Sequence, residues 1–193
     1  MKAHDPSDPS QIEGKLLIAM PGMGDPRFDK SVIFMCAHSP DGALGLIVNK
    51  PTPELSFAKL LKQLDIDVPD VFRDVSVHFG GPVESGRGFV LHSGDFVSDI
   101  STLQVSEDFG MTATLDVMEA LAGDGAPRDA LLALGYAGWG PGQLEAEILQ
   151  NGWLTCDATR ALVFQEPDET KWTAALATLG VDALVLSADA GRA

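Results

Sequence analysis

Two apolar segments joined by a turn place the tightest constraint on this chain. Val32-Ile33-Phe34-Met35-Cys36-Ala37 is apolar at every position, and apolar character resumes over residues 44–48 after Ser39-Pro40-Asp41-Gly42. A strand apolar at both parities is buried on both faces. Between the segments, Pro presets a reversal and Gly tolerates positive φ. The pair therefore predicts an antiparallel hairpin in the interior of a sheet.

Residues 16–20 form another short apolar run, stopped by Pro21-Gly22, and predict a second doubly buried strand. Phe57, Leu60, Leu61 and Leu64 recur at helical spacing behind Ser56, a good N-cap residue. Residues 75–79 alternate like a half-buried strand and end at Gly80-Gly81-Pro82, with residues 88–91 expected to pair with them. Residues 103–105 and 111–113 predict a further hairpin, 117–122 a short helix, and 130–134 a strand leading into a Gly-rich turn. A helix over 143–150, re-entry to the core at Trp153-Leu154, a helix over 169–179 and an edge strand over 183–186 complete the reading. Strands that come in hairpins with helices interspersed argue for an α+β fold with a mixed, mostly antiparallel sheet.

At 193 residues the chain has the length of one domain. Residues 1–12, polar and holding Pro6 and Pro9, are expected to be a disordered leader, with residues 13–193 a single domain. The N-terminus lacks the apolar core of a signal peptide, and no apolar run approaches the roughly 20 residues that span a bilayer. With only two cysteines, Cys36 and Cys156, a disulfide framework is not expected. A cytoplasmic protein without membrane contact is the expectation.

The formal net charge is −15, from 28 acidic and 13 basic side chains. Such a surface disfavours direct nucleic-acid binding, which draws its affinity from Lys and Arg on phosphates. Nine of the 13 basic residues fall within residues 1–100, so an anion site belongs in that half. Arg27, Lys30 and Lys50 flank Asn49 near predicted strand ends and could form a small basic spot.

No complete catalytic or cofactor motif is present, and no cofactor is expected. Gly22-Met23-Gly24-Asp25-Pro26-Arg27 lacks the third glycine of a dinucleotide loop and runs into proline rather than a helix. Gly138-Trp139-Gly140-Pro141-Gly142-Gln143 enters a helix, whose N-terminus could hold an anion, but no Gly-Lys-Ser/Thr follows it. A tight turn explains it as well. Cys36 and His38, two apart on one strand, should share a face, where a thiolate–imidazole pair could serve as a redox or nucleophilic centre. The same face carries Val32 and Phe34, so Cys36 also reads as a small core side chain. His38, His78 and His92 have no metal-ligand spacing, and His92-Ser93-Gly94-Asp95 is no triad merely by adjacency.

Four segments carry a family resemblance. They are Gly14-Lys15-Leu16-Leu17-Ile18-Ala19-Met20-Pro21 through Asp25-Pro26-Arg27-Phe28, Gly45-Leu46-Ile47-Val48-Asn49-Lys50-Pro51, Gly80-Gly81-Pro82-Val83 with Leu91-His92, and Gly135-Tyr136-Ala137-Gly138-Trp139-Gly140-Pro141-Gly142-Gln143-Leu144-Glu145. In this order they resemble the YqgE/AlgH family of small bacterial proteins over about residues 14–180. The resemblance implies an α+β fold with a strongly curved sheet, a cytoplasmic setting and the label of transcriptional regulator. The reading that follows is a non-catalytic binding or regulatory protein acting through a protein partner or a small anionic ligand. Its expected site comprises Pro21, Gly22, Asp25, Arg27, Asn49, Lys50, Gly80, Gly81, Pro82, His92, Gly138, Trp139 and Gln143. The alternative is a redox sensor or enzyme using Cys36 with His38.

Overall fold

A computed structural model describes residues 11–190. Nine strands form one sheet: β1 (Lys15–Ala19), β2 (Val32–Ser39), β3 (Gly42–Ile47), β4 (Val77–Phe79), β5 (Val83–Ser93), β6 (Leu103–Gln104), β7 (Phe109–Thr112), β8 (Ala130–Trp139) and β9 (Trp153–Asp157). Their order is β6-β7-β5-β8-β3-β2-β1-β9, with β4 paired to β8 off this path. Every pairing is antiparallel except β4 with β8.

The sheet is strongly curled. Three strands separate β2 from β7 in the order, a distance of about 19 Å in a flat sheet. Yet the rings of Phe34 on β2 and Phe109 on β7 lie 4.8 Å apart, so the two halves fold toward each other. Alternation along the strands then distributes the core. Leu16, Ile18, Phe34, Cys36 and Phe109 fill the inside of the curl. Leu17, Ala19, Ile33 and Met35 face the other way, under α3 (Gln143–Leu149). On the outer face of β5 and β8, Val90 and Leu132 are covered by α1 (Phe57–Gln63) and α2 (Leu115–Ala122).

The predicted hairpin forms as β2–β3, and Ser56 caps α1 by accepting a hydrogen bond from the Lys59 N–H. Other expectations are corrected. Ile12, placed in the leader, is buried against Leu17 and Trp153 in the second core layer, and its carbonyl accepts from the Lys15 N–H; residues 1–10 lie outside the described residues. Residues 88–91 do not pair with β4. They belong to the long β5, which lies between β7 and β8, whereas β4 runs parallel to β8. The Gly-rich stretch after residue 134 is not all turn, since β8 continues through it to Trp139. Residues 183–186 open a fifth helix, α5 (Ala183–Ala190), not an edge strand. Leu179, expected on the buried face of α4 (Asp168–Thr178), is 42% exposed.

Close backbone approach explains Gly80-Gly81. Gly81 has φ +153°, and a Cβ there would lie 2.0 Å from the Tyr136 carbonyl carbon. One at Gly80 would lie 2.3 Å from the Gly135 carbonyl oxygen. No side chain can occupy either place without prising the chain off β8.

Candidate functional site

The residues expected to form one binding patch are not brought to one cleft. Asp25 and Arg27 bind each other, with Arg27 Nη2 donating to Asp25 Oδ2 at 2.6 Å. Arg27 thereby holds the Asp25 carboxyl below the usual carboxylate range. Pro21 and Gly22 make a surface turn, in which the Met23 N–H donates to the Met20 carbonyl at 3.3 Å. Gly80 and Gly81 are accounted for by the approach to β8, and Pro82 follows them as a half-buried bend residue.

His92 is buried and satisfied. Its Nδ1 donates to the Ser93 carbonyl at 2.8 Å, and its Nε2 accepts from Thr112 Oγ1 at 2.9 Å. Burial pushes its pKa below the ordinary histidine value. The ring is a neutral core group, with no surface left to meet a ligand.

The turn of Gly138, Trp139 and Gln143 is held from within. Gln143 Oε1 accepts from the Gly140 N–H at 3.0 Å, and Gln143 Nε2 donates to Glu147 Oε1 at 3.0 Å. The other Glu147 oxygen accepts from two indoles, Trp139 Nε1 at 2.9 Å and Trp153 Nε1 at 2.8 Å. This carboxylate clamp fastens β8, α3 and β9 together, and the turn serves folding.

Cys36 and His38 do not act as a pair. A bulge between Met35 and Ala37 shifts the register of β2. Cys36 stays inside the curl at 0% exposure, while His38 Nε2 meets Glu145 Oε1 on α3 at 2.6 Å, on the other side of the sheet. Burial, reinforced by Glu13, pushes the Cys36 thiol far above its ordinary pKa. A thiol so placed is protonated and shielded, the reverse of what redox or nucleophilic chemistry needs. Among the described residues, no group of three or more His, Cys, Asp or Glu is arranged to hold a metal.

Asn49 and Lys50 do reach a cleft, of about 370 Å³, lined also by Asp29, Lys30, Asp168, Glu169, Trp172 and Thr173. It lies where the loop before β2 and the chain leaving β3 meet α4 and the start of α5. Asn49 positions it. Its Oδ1 accepts from the Val32 N–H at 2.8 Å, and its Nδ2 donates to the Lys30 carbonyl at 2.9 Å. Lys30 sits in the left-handed region at φ 51°, so this amide holds a turn that a non-glycine residue disfavours. Lys30 Nζ lies 5.8 Å from the centroid of the Trp172 ring, and Lys50 Nζ donates to the Asp29 carbonyl at 2.8 Å. Trp172 is pinned in turn by its Nε1 donating to the Ala19 carbonyl at 2.9 Å.

The cleft's wall contains a buried polar cluster that sequence reasoning missed. His78 on β4 donates from Nε2 to Asp168 at 3.0 Å. Lys171, 2% exposed, donates from Nζ to the Val48 and Val163 carbonyls, both at 2.9 Å, and lies 3.5 Å from Asp168 Oδ1. Burial alone would raise the Asp168 pKa, but the His78 hydrogen bond and the charge of Lys171 carry it below its usual value. Burial draws the Lys171 amine down, opposed by Asp168. Asp168 is thus matched inside the protein, while Lys30 and Lys50 have no ion-pair partner among the described residues. The signal that could have located this cluster is a lysine between Thr170 and Trp172, on the apolar side of a predicted helix and three residues after an aspartate.

The fold and the cleft define a class: a single-domain α+β protein with a curled, mostly antiparallel half-barrel sheet and helices packed on it. The family model described as AlgH-like matches residues 16–184, and the chain belongs to that family. It is 58% identical over 182 residues to a UPF0301 protein of Cereibacter sphaeroides, covering 94% of this chain and 99% of that one. It is likewise 58% identical to a UPF0301 protein of Ruegeria pomeroyi, with the same coverage. The solution structure of AlgH from Pseudomonas aeruginosa superposes with a TM-score of 0.76 at 41% identity, covering all of both chains. A Corynebacterium diphtheriae protein, DIP2367, shares the fold at 19% identity with a TM-score of 0.66, over 92% of this chain and 90% of its own. No helix among the described residues is long and apolar enough to cross a membrane.

Proposed function

We propose that this protein is a non-catalytic binding protein whose Lys30–Lys50 cleft takes a small anionic group, a carboxylate or a phosphate. One observation carries the reading: two ammonium groups stand fixed at one cleft without acidic partners, on a chain of net charge −15. Some cations elsewhere are ion-paired, as Arg27 with Asp25 and Arg160 with Asp129, and others such as Lys59 and Arg73 donate to backbone carbonyls, but two unpaired ammonium groups share this cleft. Unmatched cations beside a polar amide and an aromatic wall are what charge-assisted recognition of an anion uses. The first turn of α4 at the same cleft adds the positive end of a helix dipole. Asp29 and Glu169 at the rim limit the total negative charge the cleft accepts, which favours a single anionic group over a polyanion such as nucleic acid. A regulatory role would then follow from ligand occupancy rather than from direct DNA contact.

Ligand that binds only the folded state raises its stability. Inorganic phosphate or acetate at millimolar concentration should raise the melting temperature of the wild type beyond an equal ionic strength of chloride. The increment should vanish in Lys30→Gln/Lys50→Gln. An increment equal to that of chloride, or one kept in the double variant, refutes the proposal.

A further inference from the structure

The cleft beside Asn49 carries charge of both signs, which narrows the kind of molecule it takes. Asp168 at its wall is already matched by His78 and Lys171. Four charged side chains that line it, Lys30, Lys50, Asp29 and Glu169, belong to no ion pair among the described residues. Their formal charges cancel. A simple anion drawn to the two ammonium groups therefore also meets two carboxylates that repel it.

The opposite charges are kept from neutralising one another. Lys50 Nζ is tied to the Asp29 carbonyl oxygen at 2.8 Å, and Lys30 Nζ is held over the Trp172 ring, 5.8 Å from its centroid. Glu169 stands apart from them, in the first turn of α4. Charges of both signs anchored at separate points are preorganised for a molecule that carries both. One apolar side chain completes the pattern: Leu184, at the start of α5, lines the cleft yet is 78% exposed. The volume, about 370 Å³, lies at the small end of small-molecule sites, about 300–1,000 Å³. We infer that the ligand is a free α-amino acid with an apolar side chain, its carboxylate on Lys30 and Lys50, its ammonium on Glu169 and Asp29, and its side chain on Leu184. Only the free acid carries both charges on one carbon; a peptide separates them to its two ends. The inference rests on the anion reading of the cleft and names the molecule that bears the anionic group.

The test titrates ¹⁵N-labelled full-length protein at low salt, following backbone amides, with leucine, isocaproate, isoamylamine and glycine. Isocaproate is leucine without its ammonium group, isoamylamine is leucine without its carboxylate, and glycine lacks the side chain. Leucine should move Lys30, Asn49, Lys50, Glu169 and Leu184 along one saturable curve. Isocaproate and isoamylamine should each bind about tenfold more weakly, the factor that one charge-assisted hydrogen bond carries. Glycine should bind several-fold more weakly for want of apolar contact. Glu169→Gln, an exposed substitution, should weaken leucine about fivefold and strengthen isocaproate, since it removes a partner from the one and a repulsion from the other. The inference is overturned if isocaproate or glycine binds as tightly as leucine, if leucine moves amides only elsewhere, or if Glu169→Gln shifts leucine and isocaproate in the same direction. Inorganic phosphate separates the two readings: where phosphate and isocaproate bind at these amides as tightly as leucine, this inference falls and the anion reading stands. Where none of the three moves them, both fall.

Discussion

Removing the Glu147 carboxylate tests whether the Gly-rich turn exists for folding. In Glu147→Ala, the indole N–H groups of Trp139 and Trp153, at 7% and 2% exposure, lose their common acceptor, and Gln143 loses its own. A buried donor left without a partner costs about 1–3 kcal/mol. Two indoles therefore give about 2–6 kcal/mol; because Glu147 is only half-buried and water can reach its place, the lower part of that range, about 2–4 kcal/mol, is expected. Glu147→Gln keeps a carbonyl oxygen for the indoles but loses the assistance of the charge and the exposed bond from Gln143 Nε2, together about 1–2 kcal/mol. Urea unfolding followed by far-UV circular dichroism reads both, with the m-value unchanged if the same surface is exposed on unfolding. A double-mutant cycle with Trp153→Phe should give a coupling above about 0.5 kcal/mol, as for residues in one hydrogen-bond network. If Glu147→Ala lies within 1 kcal/mol of wild type, or Glu147→Gln is as damaging as Glu147→Ala, the clamp does not hold the turn.

Two further expectations follow from buried groups. The folded His92 pKa lies below its unfolded value of about 6.5, so the unfolded chain binds the proton first as pH falls. Stability from this group is full above that value and declines below it, by up to about 1.4 kcal/mol per pH unit. Comparing the pH dependence of wild type and His92→Gln between pH 7.5 and 5.5 isolates this contribution; identical slopes would refute it. Both thiols are buried and both are raised in pKa by burial, so neither Cys36 nor Cys156 should react with an aromatic disulfide reagent at pH 8 until urea unfolds the chain. Rapid labelling of Cys36 in the native protein would revive a redox role.

What could be read from the sequence was local. The β2–β3 hairpin and the Ser56-capped helix need only neighbouring residues to specify them, and both formed as expected. Pairings set by the curl were not legible. β4 finds β8 in parallel more than fifty residues away, and nothing in Val77-His78-Phe79 points there. The apolar run at 183–186 was too short for periodicity to separate strand from helix, and it folded as helix. The bulge in β2 defeated the parity argument that placed Cys36 and His38 together, because one extra residue reverses the facing of everything beyond it. In the cleft, Asn49, Lys50 and Lys30 were found through charge. His78, Asp168 and Lys171 were missed because their meeting spans 90 residues of sequence.

Amide-resolved NMR at low salt tests the anion specificity of the Lys30–Lys50 cleft directly. Inorganic phosphate titrated into wild-type protein should move Lys30, Asn49, Lys50 and Thr173 along one saturable curve, and Lys50→Gln should weaken that curve several-fold. Shifts scattered over the surface without saturation, or a curve indifferent to Lys50→Gln, would contradict it.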